Sequence, residues 1–165
     1  MDLRIDNLTG AVNARFFSEL VQMEIDRSLR NRRPCTVAYV DLDNFKSVSD
    51  HFGHSTGDKV LCTIVKQANS QLRKLDVVAR LGGDEFAFLL PETGQVAAQV
   101  AVSKIQIGLL DEMRRNHWPV TFSIGVVTCI NIPRATDPLL KQADDLMYSV
   151  KNKGKNSIGY SVYAG

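Results

Sequence analysis

The sequence predicts an α/β fold of the α+β type, in which helices pack on a mixed or antiparallel sheet. The first observation is a hairpin. Two apolar runs at 77–81 and 86–90 flank Gly82-Gly83-Asp84-Glu85, and paired glycines let a chain reverse tightly between strands. The second is helical periodicity on both sides of the hairpin. Strands joined by a hairpin cannot belong to an all-parallel sheet, so a doubly wound fold is excluded.

The first elements are a helix and a strand. Residues 13–31 predict an N-terminal helix because apolar side chains recur there at helical spacing. The members of that face are Phe17, Leu20, Val21, Ile25 and Leu29. A β-rich run at 35–40, after Pro34, predicts a strand that ends at Asp41-Leu42-Asp43.

Two helices are predicted between this strand and the hairpin of 77–90. Residues 44–52 predict a short helix that Gly53 ends. Residues 56–73 predict a longer one with a continuous apolar face. That face consists of Val60, Leu61, Ile64, Val65, Ala68 and Leu72.

The remaining elements follow the hairpin. Residues 94–114 predict a helix with Ala97, Val100, Ala101, Ile105 and Leu109 on its apolar face. Residues 120–130 predict a long buried strand. Asp137-Pro138 predicts the start of the last helix, with aspartate at the cap, and Gly154 ends that helix. The last strand is predicted at 157–162.

Composition bounds the protein class. A chain of 165 residues with 44% apolar and 23% charged residues is typical of one globular domain. A net charge of +2 argues against a broad nucleic-acid surface. Cys35, Cys62 and Cys129 lack metal-site spacing and are predicted to be core thiols in a reducing cytoplasm. We expect neither a leader peptide nor a membrane span in this chain.

Two acidic sites point to a divalent cation. Asp41 and Asp43 fall on one face of their strand, and Asp84 and Glu85 repel each other at an exposed turn. Hard carboxylate oxygens suit Mg²⁺ shared with substrate phosphates, which implies a nucleotide. For an isolated Asp-Leu-Asp, a turn pair with Asp43 capping the next helix is an equally good interpretation.

Six ordered blocks together resemble the GGDEF family of diguanylate cyclases. They are DNLTGAVN at 6–13, DLDNFK at 41–46, FGHSTGD at 52–58, RLGGDEF at 80–86, TFSIGV at 121–126 and ADDLMYSVKNKGKN at 143–156. The resemblance covers about 6–158. It implies a five-stranded palm of the nucleotidyl-cyclase type, and a single domain over 1–165 that is a fragment of a longer signalling protein.

The resemblance also implies a catalytic centre. Two Mg²⁺ or Mn²⁺ ions per site are expected on the carboxylates of Asp41 and Asp84 and the backbone carbonyl of Leu42. Asp84 is the implied general base, Glu85 is needed beside it, and Lys46 completes the catalytic set. Whether Asp84 is ionised depends on Glu85, which raises its pKa, and on a bound cation, which lowers it.

The resemblance places GTP across two helices. The helix opening at Asn44, Phe45 and Lys46 offers backbone N–H groups to the phosphates. Lys151 and Lys155 match further phosphate-binding positions, and a lysine replaces the usual arginine at Lys155, which loses the bidentate fork. Taken alone, the KNKGK stretch at 151–155 is better explained as a solvated helix end, where cations interact favourably with the helix dipole.

Guanine recognition is assigned to Asp58 and Ser49. A carboxylate matches the adjacent N1–H and N2–H₂ donors of guanine. The alternative role of Asp58 is a cap or first-turn acid of its helix. Ser49 replaces the family's usual asparagine, and its shorter hydroxyl offers one donor.

Arg73 and Asp76 stand at the spacing of the family's inhibitory site for cyclic di-GMP. Arg73 would bind a phosphate or guanine, and Asp76 would accept guanine donors. A basic helix end followed by an acid entering a strand is the alternative.

Two functions of different class remain. The first is a cytoplasmic homodimeric enzyme that condenses two GTP into cyclic di-GMP and two pyrophosphates. The second is a catalytically weak or inactive module that binds GTP or cyclic di-GMP and regulates a fused partner. A fused sensory or EAL-type domain is compatible with either.

Overall fold

The computed structural model describes residues 2–163, and the predicted domain's outermost residues, 1, 164 and 165, lie outside them. The helices are α1 Ala14–Asn31, α2 Phe45–Phe52, α3 His54–Gln71, α4 Gln95–Arg115 and α5 Thr136–Asn152. The strands are β1 Val12–Asn13, β2 Cys35–Asp43, β3 Val77–Gly82, β4 Glu85–Leu90, β5 Thr121–Cys129 and β6 Ser157–Val162. Every predicted helix and strand is therefore present.

The strands form one mixed sheet in the order β1-β3-β4-β2-β5-β6. The central pairs β3/β4, β4/β2 and β2/β5 are antiparallel, and the outer pairs β1/β3 and β5/β6 are parallel. The described residues thus contain six strands, so the expected count of five is wrong. The additional strand, β1, has only two residues, which is too short to give a period-2 pattern.

Two of the predicted boundaries that shift involve acidic residues. β2 continues through Asp43, so its acids lie within the strand instead of after it. α5 begins at Thr136 with Ala135 at the cap, so Asp137 does not cap the helix. Asp137 lies in the first turn, where a carboxylate still interacts favourably with the helix dipole.

The core has two layers, one on each face of the sheet. Helices α2, α3 and α4 cover the face that carries Phe86 and Phe88, whereas α1 and α5 cover the face that carries Ala87 and Leu89. The strict alternation along β4 places these side chains on opposite faces.

The predicted apolar face of α4 is partly wrong. Its buried side chains are Ala98, Val102, Ile105, Leu109 and Met113, whereas Val100 is 65% exposed. Apolar residues occur around most of this helix, so sequence spacing does not select the face that packs. Within residues 2–163, no helix combines the length and apolar character needed to cross a membrane.

Candidate active site

The two acidic segments meet at one end of the central strands, where β2 ends and β4 begins. We call this end of the sheet, with Asp41, Asp84 and Glu85, the acidic edge. Asp41 is the register partner of Glu85 on β4 and of Ser123 on β5. The backbone N–H of Leu42 donates to the carbonyl of Asp84 at 3.1 Å, which ties the hairpin turn to the end of β2. The fold therefore brings Asp41, Asp84 and Glu85 together, as predicted.

The turn that carries Asp84 is held by Arg80 and Asp6, two residues that sequence reasoning did not assign to the site. Gly82 and Gly83 take φ of +151° and +48°, the region that glycine enters without strain. The guanidinium of Arg80 donates to the carbonyl of Gly83 at 2.9 and 3.1 Å. It also pairs with Asp6 at 3.2 Å. Both residues belong to motif blocks, but only the fold shows that they meet.

The carboxyl groups of the turn hold their protons more strongly than isolated carboxyl groups do. Burial and the charge of Asp41 raise the pKa of Asp84. Burial also raises the pKa of Glu85, and Asp41, Asp144 and Asp84 act in the same direction. Asp144 on α5 was not predicted, and the pKa of its own carboxyl is raised by burial and by Asp145.

Lys151 lies against the same group of acids. Its Nζ is 2.8 Å from Oδ2 of Asp41 and donates to the carbonyl of Leu42 at 3.3 Å. Burial lowers the pKa of Lys151, but the hydrogen bond and charge of Asp41 outweigh it and raise the pKa overall. An ammonium group thus contacts two of the oxygens assigned to a divalent cation.

The donor set fits a hard divalent cation. Oδ1 of Asp41 is buried and accepts no hydrogen bond, which is costly unless another group binds there. In the described part of the chain, no three His, Cys, Asp or Glu side chains converge as a metal site. Asp41, Asp84 and the carbonyl of Leu42 could hold Mg²⁺ or Mn²⁺ only if phosphates and waters complete the coordination, which is the habit of Mg²⁺.

Asp43 has a structural position. It is fully buried and accepts from the hydroxyls of Thr121 and Ser123, both at 2.8 Å, and from the backbone N–H of Asn156 at 3.0 Å. These donors occupy its oxygens, so the expectation that Asp43 joins Asp41 on a cation is wrong. Asp43 also does not cap α2, because the cap position is Asn44, with φ +67°.

The turn after α5 is anchored by Asp43. Gly154, Lys155 and Asn156 all take positive φ, and the N–H of Asn156 bonds to Asp43. The side chains of Lys155 and Lys46 are exposed, and neither forms a salt bridge within residues 2–163. Both charges therefore face solvent near the acidic edge.

The predicted guanine residues lie at the junction of α2 and α3. A Cβ on buried Gly57 would lie 3.3 Å from the ring of Phe45 and from Oγ of Ser49, so the two helices approach closely. Asp58, the next residue, is exposed. α3 begins at His54, so Asp58 is neither its cap nor in its first turn. Oγ of Ser49 lies 3.1 Å from Nδ1 of His54, a partner that the sequence did not reveal.

Arg73 and Asp76 bind each other. The Arg73 guanidinium donates to Asp76 at 2.9 and 3.2 Å and to the Pro91 carbonyl at 2.7 Å. The pKa of Arg73 is raised, chiefly by this hydrogen bond to Asp76. The pair lines a cavity of about 160 Å³ with Thr93 and Ala97. A ligand there would have to compete with the internal pair.

Comparison with known proteins decides the family. The family Diguanylate cyclase, GGDEF domain matches residues 3–157. The chain belongs to the GGDEF family. It is similar to the probable diguanylate cyclase DgcC of Escherichia coli strain K12, with 33% identity over 153 residues, 92% of this chain and 41% of DgcC. This GGDEF chain thus spans about two fifths of that relative.

Solved structures agree with the family. The GGDEF chain superposes on diguanylate cyclase SiaD of Pseudomonas aeruginosa, solved with its activator SiaC, with a TM-score of 0.85 and 32% identity over 95% of this chain and 61% of SiaD. It is also similar to a microbial GGDEF domain whose interaction with bis-(3′,5′)-cyclic di-GMP was solved. There the TM-score is 0.83 with 29% identity, over 95% of this chain and 96% of that one.

Proposed function

We propose that this GGDEF domain is a diguanylate cyclase that condenses two GTP into cyclic di-GMP and two pyrophosphates in the cytoplasm. The observation that carries the proposal is the buried, unpartnered Oδ1 of Asp41 beside Asp84 and Glu85. A purely structural buried acid would have protein donors on both oxygens, as Asp43 does, whereas Asp41 has Lys151 on Oδ2 and no donor on Oδ1. The edge around Asp41 is instead arranged for a ligand with positive charge and phosphates.

The residues of the acidic edge would have three roles: cation binding, proton acceptance and phosphate binding. Asp41, Asp84 and the carbonyl of Leu42 would hold the divalent cations, which polarise the α-phosphate and acidify the attacking 3′-hydroxyl when bound. Asp84, whose pKa is raised, would accept a proton as general base, with Glu85 beside it. Lys151 would leave the oxygens of Asp41 and Leu42 and turn to phosphate.

The phosphates would lie at the start of α2. The backbone N–H groups of Asn44, Phe45 and Lys46 have no earlier helical carbonyl to bond to, and the dipole there favours negative charge. Lys46 and Lys155 present exposed ammonium groups to the same edge. These ammonium groups would attract the leaving pyrophosphate through their charge, without the bidentate hydrogen bonds that arginine forms.

Two domains are required for one product. One chain offers one acidic edge, whereas ring closure needs two GTP molecules whose 3′-hydroxyls attack each other's α-phosphates. The active species would be a homodimer. We also propose that residues 1–165 form one domain of a longer signalling protein, with a sensory or EAL-type domain fused to it.

Product identification tests the proposed activity. The protein is incubated with GTP or ATP and Mg²⁺ or Mn²⁺, and the products are separated by chromatography. We expect cyclic di-GMP from GTP and none without a divalent cation. Binding of GTP without turnover would support the regulatory module, which is favoured by the pairing of Ser49 with His54.

We expect Ser49→Asn to tighten GTP binding by up to about tenfold, or roughly 1.4 kcal/mol, because an amide adds a guanine hydrogen bond. It should also sharpen the preference for GTP over ATP. Titration with non-hydrolysable GTP and ATP analogues measures both. Ser47→Asn, on an exposed position of the same helix, is the matched control. Unchanged affinity and unchanged GTP/ATP ratio would show that Ser49 already satisfies guanine, directly or through water.

We expect Arg73→Ala to weaken cyclic di-GMP binding without weakening GTP binding, because Arg73 lies away from α2 and Asp41 and supplies the fork for a phosphate or guanine. Calorimetric titration with each nucleotide measures the two affinities. Arg114→Ala is the control, since Arg114 also pairs with an acid three residues away, Asp111, at 3.1 Å. Equal product affinity before and after Arg73→Ala would remove the inhibitory-site assignment.

A further inference from the structure

Two buried cysteines face each other at the end of the sheet opposite the acidic edge. Cys35 opens β2 and Cys129 closes β5, and they are direct register partners in an antiparallel pair. Both side chains are 0% exposed. Directly opposed residues have Cα atoms about 4.5 to 5.5 Å apart, which lies within the range that a disulfide spans. The third cysteine, Cys62, is only partly buried and lies on α3.

The cysteine pair adjoins a buried polar pair from α1. Ser28 and Glu24 are 2% and 6% exposed, and the Ser28 hydroxyl donates to the Glu24 carboxyl at 3.4 Å. Interaction with Cys129 and then with Ser28 lowers the pKa of the Cys35 thiol overall, although burial and the charge of Glu24 raise it. Hydrogen bonding with Cys35 raises the pKa of Cys129, as burial does. A buried structural thiol pair needs neither a hydroxyl nor a carboxyl beside it.

From this geometry we propose that Cys35 and Cys129 are a redox modification site, at which hydrogen peroxide converts the two thiols into an intramolecular disulfide. Cys35 is the attacking thiol and Cys129 the resolving one. Ser28 is a positioning residue that orients the Cys35 thiol, and its hydroxyl passes the thiol proton to the Glu24 carboxylate to which it donates. The site is independent of the proposed cyclase function, because Asp41 lies at the other end of β2.

The chemistry balances with one peroxide. The sulfur of Cys35 attacks one peroxide oxygen, the O–O bond breaks, and Cys35 sulfenic acid and one water form. The sulfur of Cys129 then displaces the sulfenic hydroxyl, which leaves as a second water, and the S–S bond forms. Two thiols are oxidised by two electrons and the peroxide is reduced. Because both thiols are buried, a small oxidant reaches them through local opening of the strand ends, and the chain is already exposed at Ile130, the residue after Cys129.

Peroxide treatment of the reduced protein tests the proposal. After alkylation of the remaining thiols under denaturing conditions, we expect an intact mass that shows the loss of two hydrogens and a cross-linked peptide containing Cys35 and Cys129. The melting temperature should rise by roughly 5 to 10 °C and return on reduction, because the bond closes a long loop. Cys62→Ser should keep the bond, and Cys35→Ser or Cys129→Ser should lose it.

A second measurement distinguishes a role of Ser28 in proton transfer from a general effect on packing. Ser28→Ala should slow disulfide formation severalfold at a fixed peroxide concentration, while Cys62→Ser leaves the rate unchanged. If Ser28→Ala alters the melting temperature but not the rate, Ser28 has no positioning role. Oxidation confined to Cys62, or cross-links only between chains, would overturn the modification site, and wild-type peptide mapping shows this without any variant.

Discussion

Asp84→Ala is expected to reduce cyclic di-GMP synthesis by at least about a thousandfold, equivalent to roughly 4 kcal/mol of transition-state stabilisation. Asp84 lies in the hairpin turn, and its backbone carbonyl accepts a hydrogen bond from the N–H of Leu42 at 3.1 Å, beside Asp41. Without it the site loses one of two side-chain oxygen donors for the cation and its proton acceptor. Chromatographic quantification of product under saturating GTP measures the loss.

The fold should survive this change, which makes the activity loss interpretable. Burial and the charge of Asp41 raise the pKa of Asp84 in the folded state. Such a group stabilises the fold below its ordinary pKa, and the benefit is lost as the pH rises through the raised value. At neutral pH the ionised carboxylate therefore opposes folding. We expect the melting temperature of Asp84→Ala in chelator to be equal to or higher than that of the wild type.

Asp145→Ala is the matched control for Asp84→Ala. Asp145 lies on α5, pairs with Lys141 at 3.0 Å and is 63% exposed, so its removal should alter neither synthesis nor melting temperature by much. Substantial cyclic di-GMP formation by a folded Asp84→Ala variant would show that Asp84 holds neither the proton nor the cation. Loss of activity in both variants would point instead to a general charge effect.

The acidic edge could be predicted because its chemistry is local in the sequence. Asp41 ends an apolar run and Asp84 follows a pair of glycines, so strand and turn preferences alone place both carboxylates at element ends. The family motifs then imply that the two ends meet. The structure adds the atom that carries the argument, since only the fold shows that Oδ1 of Asp41 has no partner.

The contacts that could not be predicted join segments far apart in the chain. Lys151 and Asp41 are 110 residues apart, and Asp43 collects its donors from Thr121, Ser123 and Asn156. Register and helix position decide such contacts, and one residue of slip reverses every side chain on a strand. For the same reason the sequence suggested a cation for Asp43, whereas three protein donors occupy it.

We expect Gly125→Ala to destabilise the domain by about 3 kcal/mol, or roughly 6 to 12 °C in melting temperature. Gly125 lies on β5 directly beneath α5. A Cβ there would lie 2.5 Å from the backbone nitrogen of Met147 and 2.6 Å from the carbonyl oxygen of Ala143. These are backbone atoms, so no rotamer change relieves the clash and the helix itself has to move.

The displacement should also reach the acidic edge. α5 carries Lys151, whose Nζ lies 2.8 Å from Asp41, and leads into the turn anchored to Asp43. Because misplacement by about 1 Å can cost a hundredfold in rate, synthesis by Gly125→Ala should fall by roughly that factor even below its melting temperature. Thermal melting and product quantification, both with GTP and divalent cation present, measure the two effects on the same preparation.

Gly159→Ala separates this backbone clash from a general sensitivity of glycines beneath α5. Gly159 is the register partner of Gly125 on β6. Its added Cβ would meet only side-chain atoms of Leu146 and Val150, at 3.0 Å. Side chains can rotate away, so Gly159→Ala should cost about 1 kcal/mol and leave synthesis within a fewfold of the wild type. If both variants lose stability and activity equally, the close approach of α5 to Gly125 does not position Lys151.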